Sequence, residues 1–502
     1  MQENIDLLKN NIPEYINLIA GDLSKHGNKT YLVGGAIRDL IMERTPKDYD
    51  LATDALPEEI IKIFPKAIAT GIKFGTITVL YTDTKGESRA VEITTLRAEE
   101  DYVHGRWPSK VEFTKEIATD LSRRDFTINA IALELPINEN ANLVDLYGGL
   151  NDIRKKTIRA VRDPHERFSE DGVRTFKACR MASTLEFEIE PKTFNVIPEL
   201  LAVSAQVSKE RIRDEFLKLI YDSPKPSTGI ELLRKSGLLS LFIPELLEGV
   251  GVEGGPYHNL TIYEHLLKAV DLAPDRVKLA ALFHDIAKPR CADGKGHFYG
   301  HAELGAEMTR VIMRRLKFPN YEIDRVSKLV RSHMFYYPYE DEDEKSISIL
   351  KKLIANNKLS SKKKSELVKR VEKLKKKRNV AFHKGWSDKA IRRFIRRLGG
   401  VDDVDELLEL RVADALANPI TSFDPSEIQA FETRVSEVIE KDLVLTTNDL
   451  QITGEDIKKL GVTEGPEIGR ILAYLLNEVE ANPSLNTKSE LIKLTEKLLK
   501  KK

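Results

Sequence analysis

Two short segments of this chain carry residue types that suit chemistry on phosphates. Gly34-Gly35-Ala36-Ile37-Arg38-Asp39 follows an apolar run, Tyr31-Leu32-Val33, and Asp48-Tyr49-Asp50 begins ten residues past Arg38. In an extended segment, residues i and i+2 point to one face. Asp48 and Asp50 therefore present their carboxylate oxygens side by side, with Tyr49 turned away. Hard divalent cations such as Mg²⁺ take such oxygen donors and bring phosphates with them. The glycines remove side chains where a triphosphate must approach backbone N–H groups at a helix start. An isolated Asp-x-Asp or Gly-Gly is an ordinary turn. In this order and spacing they describe metal-assisted nucleotidyl transfer.

Further motifs follow in order. Gly71-Ile-Lys-Phe-Gly75-Thr-Ile is a glycine-bracketed approach to a strand, and Glu92 lies in Val91-Glu-Ile-Thr-Thr-Leu-Arg97. Arg123-Arg-Asp-Phe-Thr-Ile-Asn129 and Asp163-Pro-His-Glu-Arg-Phe-Ser-Glu170-Asp171-Gly-Val-Arg174 come next. Through most of residues 30–220 this series resembles the DNA polymerase beta-like nucleotidyltransferases. The matching branch holds bacterial class II tRNA nucleotidyltransferases and poly(A) polymerases.

The resemblance implies roles. Asp48 and Asp50 would hold two Mg²⁺ ions, one activating the RNA 3′-hydroxyl and the other neutralising pyrophosphate. Glu92 is the candidate third carboxylate, and a solvent-facing strand residue is its other reading. Gly35 and Arg38 would bind nucleotide. Arg124 suits a bidentate triphosphate contact. Asp125 can accept from a ribose hydroxyl. In this family the motif around Asp171 and Arg174 reads the incoming base. Cytosine and adenine both place an exocyclic amine beside a ring-nitrogen acceptor, and uracil and guanine reverse that order. A carboxylate and a guanidinium can thus take C and A and reject U and G. Asp171 and Arg174 are three apart and would share a helix face, with a simple surface ion pair as the other reading. Lys177 and Arg180 would continue the basic face; the family commonly has Arg where Lys177 stands. Residues 101–108 resemble a flexible loop of enzymes that add the terminal A, which argues against a CC-adding specialist.

A second constellation lies further on. His265, His284-Asp285, His301, His333 and Asp414 resemble, in that order, the HD phosphohydrolase superfamily, whose helices converge His and Asp on one or two divalent metals. The set uses four of the chain's ten histidines, hard to assign to packing alone. Imidazole with carboxylate suits transition metals as well as Mg²⁺. The metal's identity is left open. The site would hydrolyse phosphomonoesters or cyclic phosphates at RNA ends, or retain a structural metal.

The elements that must position these residues read as several domains in 502 residues. Lys plus Arg equals Asp plus Glu, 79 each, so any RNA surface must be local. Cys179 and Cys291 alone give no disulfide framework. With a polar N-terminus and no long apolar run, a cytoplasmic protein without a membrane segment is expected. Residues up to about 25 read as an amphipathic helix. Strands are expected at 31–33, 49–51, 76–81, 90–95 and 131–135. From about Asp145 the pattern is helical, with breaks at 222–227 and 249–256.

The expected fold is thus an α/β head of the polymerase beta-like type, a mixed sheet with helices, followed by an all-α neck, HD-type body and tail. The boundaries are 1–140, 141–225, 226–425 and 426–502, with a charged insertion at 340–378 read as a solvated helical pair. Segments 450–461 and 465–472 resemble the family's C-terminal region and favour tRNA as acceptor. The resulting reading is template-independent addition of C, C and A to the tRNA 3′ end from CTP and ATP. The alternatives are an A-adding enzyme or poly(A) polymerase and, from another class, an HD phosphohydrolase whose inactive head only binds RNA.

Overall fold

The apolar run that precedes Gly34 is an inner strand of a mixed sheet. The structure, a computed structural model, describes residues 2–334 and 388–500, apart from 83–85, 104–106, 139–140, 256–258, 419–424, 441–446 and 463–464, together with 364 and 367–372. The strands of the head are β1 (Thr30–Val33), β2 (Asp50–Thr53), β3 (Ala67–Gly71), β4 (Thr76–Thr82), β5 (Ser88–Thr95), β6 (Arg97–Val103), β7 (Trp107–Phe113), β8 (Ala132–Leu135) and β9 (Leu143–Val144). The sheet runs β3-β4-β5-β2-β1-β8-β9, and β6 and β7 form a separate antiparallel ribbon. β1 is buried at every position, as a strand covered on both faces must be. Val33 pairs with Asp50 across the antiparallel β1–β2 ladder, while β2 runs parallel to β5 with Leu51 beside Ile93. Tyr31, Val33, Ala52, Leu96, Leu121 and Ala132 form a packed cluster on the sheet.

The chain divides into two compact units, Met1–Val250 with Arg310–Ile323, and Gly251–Thr309 with Asp324–Lys502. The break read at 249–256 coincides with the first boundary. Beyond the sheet, the first unit is helical except for a short parallel pair, Thr157–Ile158 with Glu188–Ile189. Helix Pro164–Glu170 begins where Asp163 accepts from the His165 and Glu166 N–H groups and proline fills the first turn. Helix Val173–Leu185 follows it. In the second unit, Thr261 and Glu264 form a capping box at the start of helix Ile262–Leu272, which packs on Lys278–Phe283 and Val401–Ala417. Toward the C-terminus, Leu450, Ile452, Ile457, Val462, Ile468, Ile471 and Leu475 make a core of their own. No helix among the described residues is long and apolar enough to cross a membrane.

Three expectations need correction. The single N-terminal helix is two, Gln2–Asn11 and Glu14–Lys25, because Pro13 is extended and caps the second. Asp48 precedes β2 rather than lying in it. The stretch 101–108 is largely strand, in β6 and β7, with 104–106 outside the described residues. Most of the insertion 340–378 also lies outside the described residues.

Gly149 fixes the approach of helix Gly149–Arg154 to the turn Thr127–Asn129. A Cβ there would stand 2.2 Å from the Thr127 carbonyl oxygen and 2.9 Å from Ile131 Cγ1. Thr127 also donates to Asp152 on the same helix at 2.5 Å. Gly149→Ala is expected to destabilise the first unit by about 1–3 kcal/mol through overpacking against rigid backbone, read as a lowered midpoint in chemical denaturation. An unchanged midpoint would contradict this packing.

Candidate functional site

On the inner strands β2 and β5 of the head sheet, backbone geometry brings carboxylates together. Asp50 opens β2, and Glu92 stands one residue before the Leu51–Ile93 pairing on the parallel neighbour. Both therefore leave the same face of the sheet. Asp48 reaches that face from the exposed segment ahead of β2. Burial, then the charges of Asp48 and Glu92, push the Asp50 carboxyl up to about 6, against the opposing pull of Arg124. Acids crowded around one guanidinium, all offering oxygen, fit a hard divalent cation. Gly34 sits between them with φ +78°, a backbone region that favours glycine. A Cβ at Gly34 would meet Arg124 Nη1 at 3.4 Å and Asp50 Oδ2 at 3.6 Å. Gly35 begins helix Gly35–Ile41, where no side chain caps the first N–H groups.

The cationic side of the site is held by a residue that the sequence analysis passed over. Asp120, buried on helix Ile117–Ser122, receives Arg123 on Oδ1 at 2.7 and 3.1 Å and Arg124 on Oδ2 at 3.1 and 3.3 Å. Burial raises its pKa, and the two guanidinium groups outweigh burial and hold it low. The i, i+3 and i, i+4 spacing was the available signal. Arg38 donates to Asp39 and, at 2.7 Å, to Asn129 Oδ1. Asn129 in turn donates to Asp125 at 3.1 Å, and Lys177 lies 3.4 Å from the other Asp125 oxygen. Burial opposes ionisation of Asp125, yet Lys177, Asn129, Arg174 and the Phe126 N–H hold its carboxyl far below the ordinary range. Arg38, Asp125 and Lys177 thus form one chain of contacts.

The expected Asp171–Arg174 arrangement is not a shared helix face. Helix Pro164–Glu170 ends at Asp171, whose backbone is extended, and Arg174 lies inside the next helix. Nor do the two side chains pair with each other. Arg174 is buried and donates to Glu170 at 2.6 Å, the Arg167 carbonyl at 2.7 Å and the Arg123 carbonyl at 3.1 Å. Asp171 instead accepts a fork from Arg211, at 3.1 Å on Oδ1 and 2.6 Å on Oδ2, with Val173 N–H on Oδ1. Arg211 lies forty residues away on helix Lys209–Asp222, so no local pattern announced it. Arg180 turns to Glu215 on that helix at 2.6 Å rather than extending a face with Lys177.

In the second unit all six His/Asp candidates converge. His265 comes from helix Ile262–Leu272, His284 and Asp285 follow helix Lys278–Phe283, His301 opens the next long helix, His333 follows Asn320–Ser332 and Asp414 lies on Val401–Ala417. Asp285 is the hub. Its Oδ2 faces His284 Nε2 at 3.3 Å and His265 Nε2 at 3.7 Å, and its Oδ1 faces His301 and His333 Nε2 at 3.3 and 3.5 Å. Asp414 Oδ1 lies 3.1 Å from His265 Nε2 and 3.5 Å from His284 Nε2. Carbonyls of Ala281, Phe298 and Val330 accept from the Nδ1 atoms of His284, His301 and His333 at 2.8, 2.7 and 2.6 Å. Those contacts direct each Nε2 inward, the tautomer a metal ligand needs. The inward nitrogens then crowd, at 3.2 Å for His265–His284 and 3.3 Å for His301–His333. Burial disfavours charge on His284, but Asp285 and Asp414 override it and raise its pKa to about 10. A proton there meets the need that a cation would meet. His265, His284 and Asp285 form one possible ligand triad, and Asp285, His301 and His333 another, so Asp285 can bridge two ions.

Family models match three parts of the chain. Residues 30–159 match the poly A polymerase head domain. That match covers about a quarter of the chain. Residues 186–249 match the domain described as "Probable RNA and SrmB- binding site of polymerase A", and residues 257–418 match the HD domain. A CCA-adding enzyme of Bacillus licheniformis is 48% identical over 199 residues, covering 40% of this chain and 48% of that protein. One of Lactobacillus johnsonii is 43% identical over 260 residues, covering 51% and 61%. The chain thus spans about half the length of the curated relatives it matches. The crystal structure of Bacillus stearothermophilus CCA-adding enzyme in complex with CTP aligns with a TM-score of 0.63 over 98% of this chain and 100% of that one, at 23% identity, a likeness of fold.

For the HD domain, mixed nitrogen and oxygen donors suit a transition metal. Lys288, three residues past Asp285, places Nζ 2.5 Å from Asp285 Oδ2. Joint replacement His284→Ala and Asp285→Ala removes the hub and one imidazole of the cluster. Elemental analysis of protein loaded with Mn²⁺ is expected to show bound metal lost from this variant, and equal metal content would contradict the assignment.

Proposed function

We propose that this protein adds C, C and A to the 3′ end of tRNA from CTP and ATP, with no nucleic-acid template. The observation that carries the reading is the convergence of Asp48, Asp50 and Glu92 beside Gly34 and Arg124, in the same compact unit as the Asp171 turn. The relatives named CCA-adding enzyme support it.

In this reading Asp48, Asp50 and Glu92 hold Mg²⁺. Bound there, the ion supplies positive charge that favours the ionised 3′-hydroxyl and the departing pyrophosphate. The chain's own groups do the rest. Gly34 and Gly35 admit the triphosphate to the helix start, and Arg124, fixed by Asp120, donates a fork to it. Arg38 and Lys177 hold Asp125 through the Asn129 network for a ribose hydroxyl. Asp171 accepts from the exocyclic amine of C or A, and Arg174 donates to the ring nitrogen. Arg211 orients Asp171 while the less engaged Oδ2 keeps acceptor capacity. Lys177, beside Asp125, adds positive charge near the nucleotide. Residues 1–140 act as head, 141–225 as neck, 226–425 as HD-type body and 426–502 as a tail that binds tRNA. The HD domain acts as a metal-dependent phosphohydrolase, and the protein works in the cytoplasm. A phosphohydrolase with an inert head is less well supported, since Asp48, Asp50, Arg124, Asp171 and Arg174 all stand in the head and neck.

Asp48→Ala or Asp50→Ala is expected to abolish CTP and ATP incorporation into tRNA lacking its 3′ end while leaving the fold intact. Addition at near wild-type rate by either variant contradicts the assignment. Arg211→Ala and Asp171→Ala are expected to relax the preference for CTP and ATP over UTP and GTP, by on the order of 1–3 kcal/mol for a lost charge-assisted contact. Unaltered selectivity in both places base choice elsewhere.

A further inference from the structure

Lys47 stands next to Asp48, yet the incoming nucleotide gives it no task. It belongs to the loop between helix Gly35–Ile41 and β2. That loop is built: the Arg44 N–H donates to the Asp39 carbonyl at 2.8 Å, Glu43 turns at φ +56°, and Pro46 is buried. Arg44, Lys47 and Asp48 are exposed. Lys47 Nζ lies 2.9 Å from Oδ1 of Asp222, the last residue of helix Lys209–Asp222. Arg211 stands at the other end of that helix, about 16 Å away. The Arg44 guanidinium leans on the Thr184 carbonyl at 3.5 Å. Ser183, one residue earlier, donates to the carbonyl of Lys225, which is also exposed. Arg44, Lys47 and Lys225 thus lie together where helices Val173–Leu185 and Lys209–Asp222 end, with Glu43 and Asp222 as the acids among them. The Lys47–Asp222 pair differs from the head's inner ion pairs in its exposure. Lys47 is 80% exposed and Asp222 38%, against 19% and 1% for Arg124 and Asp120. An exposed pair of this kind stabilises little and is readily exchanged for another anion.

Resting on the reading of the head as a site of nucleotidyl transfer to RNA, we propose that Lys47 holds the backbone phosphate nearest the RNA 3′-hydroxyl. The triphosphate enters at Gly34 and Gly35 and the base goes to Asp171, so the incoming nucleotide uses neither Lys47 nor its loop. The acceptor must bring its 3′-hydroxyl to Asp48 and Asp50. Its last phosphate then lies one nucleotide back, within reach of a lysine stem on the residue beside Asp48. A backbone phosphate offers the ammonium the same single charge as Asp222. Phosphate contacts position a nucleic acid and carry no sequence information. That suits a position that receives three successive ends, before CCA, after C and after CC. Asp222 keeps the lysine in place until RNA displaces it.

Binding of the full-length protein to tRNA lacking its 3′ CCA is measured by fluorescence anisotropy over a range of salt concentrations, together with initial rates of CTP incorporation. Lys47→Ala is expected to weaken RNA binding about tenfold at low salt and to lower the slope of log affinity against log salt by about 0.7, the share of one single-strand phosphate. The KM for RNA is expected to rise in step while the KM for CTP stays. Lys47→Arg keeps the charge and is expected to keep the wild-type slope. Asp222→Asn breaks the same ion pair from the other side, frees the lysine, and is expected to bind RNA at least as tightly as the wild type. Equal weakening by Asp222→Asn and Lys47→Ala identifies a mere tie between loop and helix and overturns the proposal, as does an unchanged salt slope in Lys47→Ala. A wild type that binds this RNA and never extends it overturns the nucleotidyl-transfer reading beneath the proposal.

Discussion

The head is organised around a repulsion that protein groups alone do not relieve. Asp50 is half-buried and faces Asp48 and Glu92, and its carboxyl is pushed up to about 6 despite Arg124 nearby. Much of the surrounding structure serves to hold that unfavourable arrangement in place. The β1–β2 pairing sets Asp50 opposite Val33 and therefore beside Gly34, and the parallel β2–β5 register brings Glu92 alongside. Asp120 keeps Arg124 from drifting to neutralise the acids fully, because it engages that guanidinium from the other side. A cation entering this site meets preorganised oxygen donors rather than having to gather them.

The second unit solves a related problem with nitrogen. Main-chain carbonyls fix the outer nitrogens of His284, His301 and His333, so the inner ones crowd around Asp285. A proton on His284 satisfies part of that crowding, and a metal would compete with it. The two centres thus share a logic of preorganised ligands, one of hard oxygen and one of mixed donors. Each is assembled within its own compact unit.

How much of this was legible in the sequence follows from the range of the interactions. The strands at 30–33, 76–82 and 88–95 were readable because apolar and β-branched runs bounded by glycine have few other solutions. The ordered His and Asp positions announced the second cluster, since motif spacing survives even when its parts lie far apart. The Asp171–Arg174 geometry was misread because the helix was carried through Asp171-Gly172, a dipeptide that marks a turn and at which one helix ends and the next begins. Arg211 was invisible for a different reason: its fork to Asp171 depends on how two helices pack. Asp120 was readable in principle from its spacing to Arg123 and Arg124, but buried ion pairs and surface ones share that spacing.

The central claim is that a pocket of protein groups, working with Mg²⁺ at the crowded carboxylates, chooses C and A in turn. The most direct measurement offers wild-type protein three tRNA acceptors, ending before CCA, after C and after CC, with Mg²⁺ and each nucleotide singly or together, and reads product length. The account predicts addition of two C residues and then one A, with each acceptor extended only to the completed end, and no extension from UTP or GTP alone. Long runs of A, addition of A alone, or no extension of any acceptor would contradict it.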